Sequence, residues 1–192
     1  GSKKTRKVVA ADFVYSFDRL RNKKIASPGS WVMQQVNNYE AKEKYVLTIR
    51  LKNPFPAFLG LLTMRYCAVV PMEITSHYGE DFRSNPIGTG PFYFRQWDEN
   101  VKLVLRKNPK YFELDEQGQR FPYLDAVAIE FIPDIQSEFM LFLQGKFDFI
   151  NSLDSSYKDE LLTPKGKIQT KYMDQLNMLK GPYLNTEYIG IY

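Results

Sequence analysis

An α/β fold with a mixed sheet is what this 192-residue sequence predicts, and three observations predict it. Apolar residues recur at helical spacing in "AADFVYSFDRLRN", residues 10–22. Two alternating runs, "PFYFRQW" and "VKLVLRKN", flank "DEN" as the arms of a β-hairpin would. Beyond them, strand-like and helix-like runs alternate, which calls for crossover as well as hairpin connections. The composition shifts near Gly88 to Gly90, within "SNPIGTGPFYFRQW".

Taken in order, the first helix presents Phe13, Phe17 and Leu20 on one face with Val14 beside them, and Asp12 sits near its positive N-terminal end. "KIASPGS" is a loop, and "YVLTIRL" alternates as a strand. "NPFPAFLGLLTM" opens a second helix, with Pro54 or Pro56 near its start. "YCAVVP" reads as a short buried strand, and "MEITSHYGEDF" as a short helix that stops near Gly79. After the hairpin, "AVAIEFIP" is a strand. Asp134 can cap the helix "IQSEFMLFLQ", whose Phe139, Phe142 and Leu143 form an apolar stripe and which Gly145 ends. "FDFINS" reads as a strand, "SYKDELLT" as a short helix, and "IQTKYMD" and "NMLKGPYLNTEYIGIY" as late strands. No internal repeat or low-complexity segment interrupts the chain.

The apolar content of 44% supports a packed core, and the 14 Phe, 13 Tyr and 2 Trp serve first to fill it. The formal charge of +4 is scattered, with one short run, "KKTRK", at the start. No basic helix or glycine–aromatic RNA motif organises it, so a solvated surface is expected and no nucleic-acid partner. Cys67 is the one cysteine, which excludes an internal disulfide and reads as a small buried residue. No run of about 20 apolar residues is present to span a bilayer, and no signal segment is read. The opening "GS" resembles the remnant of a cleaved tag, so the chain is expected to be an excised piece of a longer protein.

Enzymatic motifs are not found. A phosphate loop needs a lysine after its last glycine and a helix to follow, because helix-start N–H groups hold the anion. "GTGPF" has neither. His77 stands alone, whereas a metal site needs several ligands at set spacing and a catalytic triad needs a nucleophile motif and an orienting partner. Asp12 with Asp18, and Asp98 with Glu99, are expected on solvent faces, and "ELDEQGQ" does not follow a calcium loop. No cofactor and no metal are expected. An enzyme, such as a hydrolase with its catalytic residues outside this piece, stays open as the alternative.

Four motifs in order carry a resemblance that covers nearly the whole chain: "VVAADFVYSFDRL", "NPIGTGPFYFRQW", "LRKNPKYFELDEQGQRFPYLDAVAIEFIPD" and "FLQGKFDF". Together they resemble bacterial extracellular solute-binding proteins of family 5, the oligopeptide- and dipeptide-binding components of ABC importers. The family pattern usually has Thr where Val9 stands, so the helix cap must come from elsewhere.

The resemblance implies a partial periplasmic binding protein fold of type II. Residues 1–86 would be part of the small accessory domain. Residues 87–192 would be the central part of the first ligand-binding lobe, ending at the crossing to a second lobe. It implies that a parent protein captures peptides or a similar small solute by closing two lobes, then presents them to a membrane permease, with no covalent chemistry. It further implies a periplasmic or cell-surface lipoprotein location for that parent.

The cleft residues implied are Tyr15 on the first helix, Gly88, Thr89 and Gly90 on the turn, and Tyr183 and Asn185 on the crossing strand. Read by themselves, the two tyrosines are equally core residues. The two glycines, followed by Pro91, are a rigid connector in which φ > 0 is accessible. In the family's peptide binders the acid that meets a peptide's ammonium end lies in the other lobe. The chain alone is therefore expected to bind peptide very weakly, and to bury exposed sheet surface by dimer formation or strand exchange. The solute class (peptide, sugar, metal complex, haem or opine) is left open.

Overall fold

Five short helices and five strands account for the regular structure of the computed structural model, which describes residues 5–151 and 153–181. The chain divides into two units, with the boundary between Glu130 and Phe131.

In the first unit, helix α1 (Ala10–Arg21) buries Ala10, Asp12, Ser16, Phe17 and Leu20. Phe13 and Val14 are half-buried beside that face. Its first turn lacks a side-chain cap, since Val9 has no acceptor, and the missing polarity is supplied from three directions. The Asp12 carboxylate accepts from the Val9 N–H at 2.8 Å. The Ala10 N–H donates to Lys44 O at 2.9 Å. Arg6 grips both Asp12 oxygens, at 2.8 and 2.7 Å, and reaches on to Glu73. Asp12 is therefore not on a solvent face. It is 7% exposed, because a buried carboxylate is tolerated when a guanidinium and a main-chain N–H satisfy it.

A 3-10 turn at Ser30–Gln35 buries Val32 and Met33 and leads into β1 (Val36–Glu43). Strand β1 pairs antiparallel with β2 (Val46–Leu51), with irregularities near Val36/Asn38 and Ala41/Glu43. Sequence patterning did not reveal β1, because "VNNYEAKE" shows the core only Val36 and Tyr39 and is otherwise polar. The hairpin lies on α1, where Phe17 and Tyr39 meet edge to face with centroids 5.4 Å apart. Phe17, Leu20, Val32, Met33, Val36, Phe58 and Cys67 form the core. Burial pushes the Cys67 thiol pKa up.

Helix α2 (Phe58–Leu62) follows the prolines and contributes Phe58. "YCAVVP" is not a strand. Arg65–Cys67 is a 3-10 turn, and the Val70 N–H donates to Ser16 Oγ at 3.0 Å rather than to a ladder neighbour. Helix α3 (Met72–Tyr78) ends at Gly79, whose φ is +54°.

The second sheet has strand order β3 (Phe92–Asp98), β4 (Lys102–Lys107), β5 (Ala126–Glu130). Phe94 faces Leu105, Trp97 faces Leu103, and Leu105 in turn faces Val127. The tight β3–β4 turn closes with Val101 N–H on Asp98 O at 3.0 Å. Both sheets are antiparallel throughout, so the crossover pairing of a mixed sheet is not among the described residues.

In the second unit, Asp134 caps α4 (Ile135–Leu143) by accepting from the Ser137 N–H at 2.7 Å, and the Ser137 hydroxyl, with that N–H, holds its carboxyl pKa below the usual value. Gly145 follows with φ +71°. Phe139 of α4 stacks on Tyr157 at 4.2 Å, just before α5 (Lys158–Leu161). Residues 147–151 are not a strand, and "IQTKYMD" makes one bridge, Ile168 to Leu162, before a 3-10 turn at Thr170–Tyr172. Strand-like patterning produces a strand only where a neighbour takes its N–H and C=O groups. Residues 177–181 are also not in a strand, and the rest of that expected late strand lies outside the described residues.

Two outcomes are expected. Phe17→Ala should lower unfolding stability by about 3–5 kcal/mol, measured by denaturant titration. Arg6→Ala should cost about 1–3 kcal/mol at neutral pH by leaving the buried Asp12 short of a partner. Asp12 and Glu73 both have folded pKa values below their ordinary ones, Glu73 at about 2, chiefly through the Arg6 hydrogen bonds. Their contribution is therefore fully present above the unfolded values near pH ~4 and is lost as pH falls through the folded ones. The gap in melting temperature between wild type and Arg6→Ala should close between about pH 5 and pH 2.

Candidate functional site

Tyr15 lies on the part of α1 that turns away from the core, half-buried. Its hydroxyl is hydrogen-bonded to Thr75 Oγ1 of α3 at 2.5 Å. The Thr75 hydroxyl also donates to Met72 O at 3.0 Å, which leaves the Tyr15 O–H to donate to Thr75. The Arg19 guanidinium lies 6.0 Å from the Tyr15 ring centroid. Beside Tyr15 is an open concavity of ≈ 730 Å³ that Arg6, Lys44, Tyr45, Met72 and Glu73 help to line. Gly88, Thr89 and Gly90 do not line it, so Tyr15 and the turn do not share one cavity.

The turn itself is exposed at Gly88 and Thr89 and half-buried at Gly90. Neither glycine uses the positive φ accessible to it. A Cβ on Gly88 would meet nothing within 4 Å, and one on Gly90 would come only within 3.9 Å of Phe92 O. Packing among the described residues therefore does not require glycine at either position. No hydrogen bond within the described residues holds Pro86, Ile87, Gly88 or Thr89. All four residues are exposed, and a main-chain group without a partner in the chain is available to water or to an external partner.

Tyr183 and Asn185 lie outside the described residues. His77 is exposed on α3, its ring edge-on to Tyr78 at 4.7 Å. Among the described residues no group of three or more His, Cys, Asp or Glu is placed to hold a metal ion, and no helix is long and apolar enough to cross a membrane. Three residues near the site were not singled out by sequence reasoning: Thr75 under Tyr15, and Arg83 and Asn108 on either side of the turn. Only Asn108 carried a local signal, an Asn before a Pro, which marks a turn.

The sequence of residues 5–191 is matched by a family model, that of the bacterial extracellular solute-binding proteins, family 5, middle part. The chain belongs to this family.

Two curated family 5 relatives are the glutathione-binding protein GsiB of Salmonella paratyphi A, 24% identical over 152 residues, and the oligopeptide-binding protein AppA of Bacillus subtilis, 26% identical over 160 residues. The alignments cover 79% and 80% of this chain but 27% and 28% of those proteins. The chain thus spans little more than a quarter of their length. Among solved structures, the periplasmic binding protein DppA from Helicobacter pylori, in complex with peptide STSA, superposes with a TM-score of 0.72 at 23% identity. It covers 82% of this chain and 33% of that one. The likeness shows the fold: a partial periplasmic binding protein of type II. The relatives are solute-binding proteins rather than enzymes.

Tyr15→Phe removes the hydroxyl bonded to Thr75 and should lower stability by about 0.5–1.5 kcal/mol. Thermal unfolding checks this, and a variant as stable as wild type would show that the bond carries no net weight.

Proposed function

We propose that this chain is the middle part of the solute-binding component of an ABC importer, one that captures a short peptide or related solute between two lobes and hands it to a membrane permease. The observation that carries the reading is the family match from residue 5 to residue 191. Two of the relatives named are described as binding glutathione and oligopeptides, and one solved neighbour holds the peptide STSA. In this reading residues 1–86 belong to the small accessory domain and residues 87–192 to the first lobe. The parent works in the periplasm or, as a lipoprotein, at the cell surface.

The turn at Gly88, Thr89 and Gly90 is the solute contact that the geometry supports best. Gly88 and Thr89 are exposed and have no hydrogen bond among the described residues, so their main-chain groups can offer sequence-tolerant hydrogen bonds of the kind that bind an extended peptide irrespective of side chains. Its glycines, not needed by the local packing, leave room for close approach. Tyr15 supplies a ring and a hydroxyl already committed to Thr75. Tyr183 and Asn185 complete the set in this proposal.

Native mass spectrometry of the intact parent, purified without stripping, tests the function. A ladder of bound masses fitting mixed short peptides would identify an oligopeptide carrier. One discrete mass would name a dedicated solute. No bound solute, together with no binding in screens of peptides, sugars and metal chelates, would count against the reading.

At the turn, Gly88→Val should leave the melting temperature of the chain nearly unchanged, as for surface substitutions with a stability effect within about 0.5 kcal/mol. The same change in the parent should weaken solute binding. Equal affinity of wild type and variant in titration calorimetry would remove the turn from the site.

The chain by itself should dimerise. The outer edges of β3 and β5 have no strand neighbour among the described residues. A clean monomer in sedimentation at high concentration would contradict this.

A further inference from the structure

Asn108 follows β4 directly and makes four hydrogen bonds in a small volume. Its side-chain Nδ2 donates to Gly90 O at 2.9 Å. Its main-chain N–H donates to Pro91 O at 2.8 Å. Its Oδ1 accepts from the Lys110 N–H at 3.0 Å, and its own carbonyl accepts from the Tyr111 N–H at 3.1 Å. The side chain is half-buried and uses both its donor and its acceptor end.

On the other side of the turn, Arg83 donates to Glu99 at 2.7 Å and lies 4.6 Å from the Trp97 ring centroid. The segment between these anchors has little else to hold it. Asn85 bonds back to Asp81 O and Phe82 O, and residues 86–89 have no hydrogen bond within the described residues. The two anchors differ in what they fix. Arg83 is an exposed, long side chain, and it fixes where the segment begins. Asn108 holds the carbonyl plane of the Gly90–Pro91 amide, and Pro91 allows φ little freedom. The bond fixes one end of the Gly88–Gly90 turn, and the steric restriction on a residue before proline narrows the orientations open to the Thr89–Gly90 peptide.

We infer that Asn108 is a positioning residue of the Gly88–Gly90 turn, holding its main-chain groups in the orientation that receives the solute. The inference deepens the proposed function and rests on the reading that this turn touches solute. The chemistry it serves is an extended peptide or another ligand rich in amide or carboxylate groups, which can pair with main-chain N–H and C=O groups.

Two variants test it. Asn108→Ala removes the donor to Gly90 O. Asn108→Asp retains the acceptor for Lys110 but, when ionised, sets a carboxylate against the Gly90 carbonyl. When protonated, it regains an O–H donor. In the 192-residue chain, the amide resonances of Gly88, Thr89 and Gly90 should shift and broaden in Asn108→Ala. In Asn108→Asp they should be displaced at neutral pH and return toward the wild-type positions as pH falls below about 4. A merely structural asparagine would lower the melting temperature without this reversible pattern confined to the turn. Unchanged turn resonances in both variants would overturn the inference, whatever the effect on binding.

Calorimetry on the intact parent, with glutathione and tri-alanine as probes, separates the inference from the reading beneath it. Asn108→Ala should weaken binding about 3- to 10-fold, and Gly88→Val should weaken it too. If Gly88→Val weakens binding and Asn108→Ala does not, the positioning role falls and the solute reading stands. If neither weakens it, the turn is not a solute contact, and the solute role of Asn108 falls with that reading.

Discussion

A single guanidinium, that of Arg6, is gripped between Asp12 at the start of α1 and Glu73 at the start of α3, and much of the first part of the chain is arranged around that grip. Helix α1 begins at a residue that cannot cap it; Asp12 serves the Val9 N–H, and Arg6 balances the charge of the buried carboxylate. Through Glu73 the same guanidinium ties α3 to α1. That brings Thr75 under the Tyr15 hydroxyl, and Ser16 under the Val70 N–H. A bidentate guanidinium–carboxylate pair has direction as well as strength, so it sets the angle of approach where apolar packing alone would allow sliding. The core of Phe17, Val32, Val36 and Phe58 then closes beneath α1.

The second sheet solves a different problem. Its hairpin pairs apolar and aromatic residues across β3 and β4, giving a stiff platform from which the Gly88–Gly90 turn projects. The turn is held at its ends and left free in the middle. This arrangement suits recognition by main-chain groups, where affinity comes from a few preoriented N–H and C=O dipoles and selectivity is left to the surrounding pockets. It does not resemble a catalytic constellation, which needs a nucleophile or base held against an orienting partner. In the proposed reading, side chains already committed within the chain, such as Tyr15, would hold the frame, while the peptide groups of the turn would meet the ligand.

Several elements were legible in the sequence because their cause is local. The face of α1 follows from apolar spacing, the Asp134 cap from an acceptor three residues before Ser137, and the β3–β4 hairpin from alternation about a short polar turn. Others were not. Strand β1 is polar along most of its length and exists because β2 and α1 cover it. "YCAVVP" has strand-like composition, yet its Val70 N–H is claimed by a serine 54 residues away. "FDFINS" has the pattern of a strand, but no ladder partner forms along residues 147–151. Of the candidate site, the turn was visible as a glycine–proline signature, whereas its bracing by Asn108 was not, since that contact spans the β3–β4 hairpin.

The sequence by itself determined the family, through four ordered motifs, and with it the fold class, because those motifs record local geometry: helix faces, caps and turns, each settled within a few residues. Only the tertiary structure decided that Asp12 is buried and paired rather than solvated, that Tyr15 spends its hydroxyl on Thr75, and that no packing among the described residues calls for glycine at 88 or 90. Each of these depends on a partner brought from afar, and whether a polar group is solvated, satisfied or left free is settled by what the rest of the chain places beside it.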